Sequence, residues 1–188
     1  MKKREISFSI GSGGAAAFAL AVFFLDTEML LCLAVCIFVH EAGHLAAMMA
    51  LGVSVQSVRA EASGLNIVCG DAPYIAELFC ALAGPFFGAA AAFIFARAGL
   101  TELSGISALL TAFNLLPASP LDGGRALNSA LRLFLMPDAA DKVSLIAGTA
   151  VSVCIIFAAV RRRLGILPII FALWLLYGYC KKPSDGVK

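Results

Sequence analysis

Along the 188 residues, long apolar runs alternate with short polar breaks, at roughly 6–25, 29–51, 74–96, 103–117, 143–160 and 164–180. A helix rises about 1.5 Å per residue, so about 20 apolar residues cross the roughly 30 Å hydrocarbon core of a bilayer. The first three runs reach that length. The fourth has 15 residues and runs into Pro117 and Pro120, so it is expected to finish as a broken helix. The last two are marginal in length and are separated by Arg161-Arg162-Arg163. This pattern predicts an all-α polytopic membrane protein of about six transmembrane helices. It is read as one domain, 1–188, with 6–25, 143–160 and 164–180 as accessory helices.

The stretch Gly52 to Asp71 follows a different pattern. Val53, Val55 and Val58, then Leu65, Ile67 and Val68, mix with polar residues around Ser63-Gly64. Partial alternation about a Ser-Gly turn fits a small membrane-associated β-hairpin between the second and third spans. Unpaired backbone cannot face lipid, so such a hairpin has to be sheltered or interfacial. An ordinary cytoplasmic loop accounts for the same residues equally well.

Composition agrees with a lipid solvent. The chain is 61% hydrophobic and 14% charged, where soluble domains keep about a quarter of their residues charged. Its Lys and Arg gather near segment ends, which is not a nucleic-acid footprint. Lys2-Lys3-Arg4 before an apolar run resembles a secretory signal, but the run ends in Leu25-Asp26-Thr27-Glu28 without an A-x-A-like cleavage site. Residues 6–25 are therefore expected to stay as a first span. With a cytoplasmic N-terminus, ten basic residues fall inside (Lys2, Lys3, Arg4, Arg59, Arg125, Arg132, Lys142, Lys181, Lys182, Lys188) and four outside (Arg97, Arg161, Arg162, Arg163). Both termini are thus predicted cytoplasmic. The Arg triplet conflicts with this topology. Either the last two segments do not both cross, or a tight outer turn tolerates it. The six cysteines form no C-x-x-C pair and mostly lie in apolar runs, where Cys acts as a small hydrophobe.

The chain's two histidines stand four apart in His40-Glu41-Ala42-Gly43-His44. At that spacing both lie on one helix face. Two imidazoles so placed can share one zinc, and Glu41 on the neighbouring side can reach a water there without being a ligand. Three ionisable residues in one turn of a span are expensive, about 2.5–3.5 kcal/mol for a central charge on some scales. A cation compensates them. From the helical rise, His40 lies about 18 Å from the outer start near Glu28 and His44 about 10 Å from the inner end. The metal is expected below the membrane surface, nearer the cytosol.

A catalytic zinc usually has three protein ligands. Cys36, one turn before His40, is one candidate for the third. Three consecutive turns of one helix diverge too far to surround the ion, so Cys36 reads better as packing surface. Asp122, beyond the proline-broken segment Asn114 to Pro120, comes from another element, and Gly123-Gly124 would let the chain come close. Asp122 is favoured over an ordinary turn aspartate. The Asn114 amide suits either a contact with substrate or a developing oxyanion, or a plain interhelical hydrogen bond.

Together, H-E-x-x-H and the later N-x-x-P-x-x-P-L-D-G resemble the site-2 protease family of intramembrane zinc metalloproteases, over roughly residues 29–130, the family's three-helix core. The resemblance implies His40, His44 and Asp122 as ligands of one Zn2+ per chain and Glu41 as general base. It also implies that residues 52–72 present substrate in extended form. Ala83-Gly84-Pro85 looks like the family's A-G-P-x-x-N element, with Gly88 where Asn is expected. Gly84 and Gly88 form instead a G-x-x-x-G spacing suited to close helix packing. With no room for a PDZ or cystathionine-synthase-like domain, the chain resembles the stage IV sporulation protease branch without its regulatory tail.

The expectation is therefore an intramembrane zinc metalloendopeptidase of the bacterial cell membrane. Its expected partners are lipid, a single-pass membrane-protein substrate cut near the cytosolic side, and a regulatory membrane protein. No nucleic acid is expected. A non-catalytic adaptor or chaperone of the same fold would not need Glu41. A metal transporter would need ligands in more spans.

Overall fold

The computed structural model describes residues 7–10, 22, 24–53, 55–61, 64–69 and 72–180. In chain order the elements are β1 (Ser7–Ile10), α1 (Thr27–Ala50), β2 (Val55–Glu61), β3 (Gly64–Cys69), α2 (Tyr74–Arg97), α3 (Thr101–Asn114), α4 (Asp122–Arg132), α5 (Pro137–Arg162) and α6 (Leu167–Cys180). They fall into two compact units, one ending at Asn114 and one beginning at Leu115.

In the first unit, local chemistry sets both ends of α1. Asp26 caps its start by accepting from the Met29 N–H at 2.8 Å. At the other end Gly52 takes φ +66°, and the Val53 N–H donates to the Met48 carbonyl at 2.9 Å. That left-handed glycine with a six-to-one hydrogen bond is a Schellman stop, and Val53 packs back on Met48 and Cys80. α2 ends in the same way, with Gly99 at φ +75° and the Leu100 N–H on the Phe95 carbonyl at 2.9 Å. α3 begins at once and returns along α2. Its Ser104 hydroxyl donates to the Ala92 carbonyl and its Ser107 hydroxyl to the Gly88 carbonyl, each at 2.9 Å. α1 packs against both α2 and α3.

The contact between α1 and α2 is close because both helices carry small residues there. A Cβ on Gly43 would sit 2.7 Å from the Ala83 carbonyl oxygen and 2.8 Å from the Phe87 Cβ. The buried positions of α2 include Ala76, Cys80, Ala81, Gly84, Gly88, Ala91 and Ala92. Without a hydrophobic drive between helices in lipid, such backbone proximity has to supply the attraction.

Burial is inverted relative to a soluble protein. His40 and His44 are 3% and 5% exposed, while Phe38 on the same helix is 74% exposed. Three helices, Thr27–Ala50, Tyr74–Arg97 and Pro137–Arg162, are long and apolar enough to cross a membrane. Only 28%, 33% and 22% of their apolar windows are buried inside the protein. Most of that apolar surface requires lipid as its solvent, and the chain is built as a membrane protein.

β2 and β3 form an antiparallel pair, with Val58 opposite Ile67 and Arg59 opposite Asn66 and a bulge between Val55 and Ser57. The alternation about Ser63-Gly64 is therefore a strand signal. A third strand joins it. β1 pairs in parallel with β2, Phe8 opposite Val58, giving the order β1-β2-β3. This corrects the all-α expectation and the start of the first expected span, whose remainder up to residue 21 lies outside the described residues. Ser7-Phe8-Ser9-Ile10 alternates polar and apolar with period two, the strand pattern, inside a run whose average apolarity resembles a helix.

In the second unit, α4 fills a stretch that the apolar pattern leaves without an element. It packs against α5, and α5 against α6. Asn128 Nδ2 donates to Asp141 Oδ1 at 2.9 Å and to Ser144 Oγ at 3.1 Å, and Arg132 donates to the same Asp141 oxygen at 2.8 Å. α5 runs from Pro137 at its first turn to Arg162, well beyond the expected 143–160. Arg161, Arg162 and Arg163 are exposed at its C-terminal end, where positive charge opposes the helix dipole favourably. Among the described residues, three of the expected spans have helices of spanning length. α3 and α6 have 14 residues each, about 21 Å at the helical rise and short of a full hydrocarbon core.

Gly43→Val should lower stability by about 1–3 kcal/mol through overpacking against Ala83 and Phe87. Gly105→Val, at a position where a Cβ meets nothing within 4 Å, should change it far less. Thermal unfolding of the full chain in detergent measures both.

Candidate metal centre

α1 buries one stripe: Cys36, His40, Glu41, Gly43, His44 and Met48. The positions recur every three or four residues, so helical periodicity alone brings the two imidazoles and the carboxylate to the covered face. His40 and His44 approach edge to face, with ring centroids 4.9 Å apart, and their Nε2 atoms lie 3.2 Å from each other.

α2 fixes the second imidazole. His44 Nδ1 lies 2.7 Å from the Cys80 carbonyl oxygen. A carbonyl can only accept, so Nδ1 is the donor and Nε2 presents its lone pair. Backbone partners of this kind hold metal-binding histidines in one tautomer and orientation. The ring lies over Gly84, where a Cβ would fall on His44 Nε2 itself. Gly84 thus provides the space the imidazole occupies.

This geometry passes a simple test for zinc. Two ligands at about 2.0–2.1 Å from a tetrahedral ion stand about 3.3–3.4 Å apart. The observed Nε2 separation is 3.2 Å, so the pair is set at the spacing of a tetrahedral edge.

Other residues singled out by the sequence take more varied places. Cys36 is buried and its Sγ lies 3.5 Å from the Leu103 carbonyl of α3, which is a packing role. Asn114 is buried at the end of α3, and its Nδ2 donates to the Leu110 carbonyl one turn back at 3.1 Å. Glu41 is buried next to His40 on α1.

Within the second unit, Asp122 opens α4, where a carboxylate is favoured by the helix dipole. Arg125, one turn on and about two-fifths exposed, approaches it at 3.8 Å, a weak pairing in that setting. The glycines after Asp122 have a role that the sequence reading assigns differently. A Cβ on Gly123 would strike the Leu115 and Leu116 backbone, and one on Gly124 would stand 2.5 Å from the Ala118 carbonyl carbon. They are small because the Leu115 to Ser119 turn folds over the start of α4. Within the first unit, His40 and His44 offer two nitrogen ligands to one metal ion.

Gly84→Ala should push the His44 ring aside and weaken metal binding about tenfold or more, in the range typical of damaged outer-shell support. Gly105→Ala should leave it unchanged. Elemental analysis of the purified variants after equilibration at limiting zinc distinguishes the two.

No protein-family model matches the sequence, and no curated protein matches it either. Among solved structures, the site-2 protease from Methanocaldococcus jannaschii superposes with a TM-score of 0.74 at 21% sequence identity, over 100% of this chain and 95% of that chain. The likeness extends over the sheet and the helices of both units. The chain has the fold of that site-2 protease.

Proposed function

We propose that this chain is an intramembrane zinc metalloendopeptidase of the site-2 protease type, cleaving transmembrane segments of single-pass membrane proteins. The observation that carries this reading is the His40–His44 pair, with Nε2 atoms 3.2 Å apart and His44 locked by the Cys80 carbonyl, inside an apolar spanning helix that also buries Glu41. The same fold in a known site-2 protease supports it.

His40, His44 and Asp122 would hold the zinc, one per chain. A zinc ion bound there supplies Lewis-acid polarisation of a peptide carbonyl and makes water acidic enough to attack near neutral pH. Glu41 takes the proton of the attacking water and delivers it to the departing amine. Burial of Glu41 keeps bulk water from competing for that proton. Asn114, at the mouth of the broken segment, is assigned to the substrate backbone, released from the Leu110 carbonyl when substrate enters.

Substrate geometry follows from backbone chemistry. A transmembrane helix hides its carbonyls in internal hydrogen bonds, so cleavage requires local unwinding. An outer edge of the β1-β2-β3 sheet offers replacement hydrogen bonds to an extended segment. β2 begins shortly after α1 ends, so the sheet stands near the C-terminal end of α1, and β1 brings the N-terminal strand to that same end. The two segments thus share one side of the membrane, which the Lys and Arg distribution assigns to the cytoplasm. His44 then lies about 9 Å, six residues at the helical rise, from the cytosolic end of α1. Cleavage near the cytosolic face follows from that depth, and a bacterial cell membrane is the proposed setting. Lipid and a regulatory membrane protein are the further partners of this reading, and the sporulation branch is the proposed placement within the family.

Glu41→Gln should retain zinc near one per chain and lose cleavage of single-pass substrates by about 100-fold or more, the typical scale of a lost general base. Reconstituted cleavage assays with parallel metal analysis decide this. Undiminished cleavage by that variant contradicts the mechanism. Substrate binding by the parent protein without hydrolysis of any candidate points to an adaptor of the same fold.

A further inference from the structure

α3 presents polar residues to α2 at Ser104, Ser107 and Thr111, spaced three and four residues apart. Ser104 and Ser107 each donate to an α2 carbonyl at 2.9 Å. Asn114 is bonded to its own helix. Thr111 is different. It is 8% exposed, and its Oγ1 is fully buried with no hydrogen-bond partner among the described residues. A buried hydroxyl without a partner costs about 1–3 kcal/mol in proteins, so such an atom needs an explanation.

Its surroundings supply one. A Cβ built on Gly88 would meet Thr111 Oγ1 and lie 3.6 Å from His40 Nδ1. The hydroxyl and the outer nitrogen of the first histidine thus border the same small space, and that space exists because residue 88 has no side chain. His44 is oriented through its Nδ1 by the Cys80 carbonyl on α2. His40 meets α2 one turn further along, at Gly88.

We propose that Thr111 is the positioning residue for His40. Its hydroxyl accepts from His40 Nδ1–H, directly or across one water, so that Nε2 is turned toward the metal. Gly88, which stands where the site-2 family carries Asn, is small to admit this hydroxyl. The centre is therefore supported asymmetrically, by a backbone carbonyl of α2 for His44 and by a side-chain hydroxyl of α3 for His40. This inference rests on the metal-site reading above, and concerns how one ligand is held.

The test uses the full chain in detergent and Zn2+ alone, titrated in competition with a chromophoric chelator. Co2+ absorption serves as a second readout. Thr111→Val, which removes the hydroxyl and keeps the branched shape, should weaken metal binding about 10–100-fold, the usual effect of losing an outer-shell partner. It should also alter the Co2+ spectrum. Thr111→Ser, which restores the hydroxyl, should return both close to the parent. Gly88→Ala, whose methyl would displace the Thr111 hydroxyl, should reproduce the Thr111→Val defect in a protein that still elutes as a folded species. Parent-like affinity in either Thr111→Val or Gly88→Ala overturns the inference while leaving the metal site standing. If the parent itself binds no Zn2+, or binds it equally after His40→Ala, the metal-site reading fails and the inference falls with it.

Discussion

His40, Glu41 and His44 place three ionisable side chains in one turn of a helix whose other faces are meant for lipid. They can stay there only if neighbouring helices come close enough to exclude lipid and still offer polar atoms. Much of the first unit serves this constraint. Gly43 lets the backbone of α1 meet Ala83 of α2. Gly84 gives up its side-chain volume to the His44 ring, and the Cys80 carbonyl accepts a hydrogen bond from that ring at 2.7 Å. α3 adds two serine hydroxyls that tie it to α2. The small residues of α2 thus serve packing and chemistry together: they permit close helix contact, and they leave space for the groups that orient a ligand.

The same constraint explains the inverted distribution of polarity. In water, a histidine pair would be solvated at the surface and the leucines and phenylalanines would face inward. Here Phe38 and Met49 are exposed while His40, His44, Ser107 and Thr111 are buried. Apolar surface has no reason to leave lipid, so close backbone approach and interhelical hydrogen bonds hold these helices together. A buried polar group without a partner is then costly, which makes each such group informative about function.

The sequence made the parts encoded by side-chain type and local period readable. Histidine occurs twice in this chain, at the one spacing that shares a helix face, so the pair and Glu41 stood out. The partial alternation around Ser63-Gly64 fits two strands, but it fits an ordinary loop equally well until the pairing partners are known. What was not readable depended on distant partners or on backbone. β1 is four residues of alternation inside an apolar run, and its meaning lies in pairing with β2. α4 carries two glycines in its first turn and mixes polar with apolar positions, so it gives no span signal; its place is set by Asn128 and Arg132 meeting Asp141. The Cys80 carbonyl leaves no trace in side-chain pattern, and Thr111 resembles any small residue of a membrane helix. Gly84 was legible as packing surface, though its role as the seat of His44 was not.

X-ray absorption at the zinc edge of the purified, zinc-loaded full chain addresses the centre most directly. The account predicts one zinc per chain with only nitrogen and oxygen neighbours at about 2.0–2.2 Å, including the outer-shell signature of two imidazoles. A sulfur neighbour at about 2.3 Å, which would bring Cys36 into the ligand set, or a bound metal showing no imidazole scattering, would contradict it.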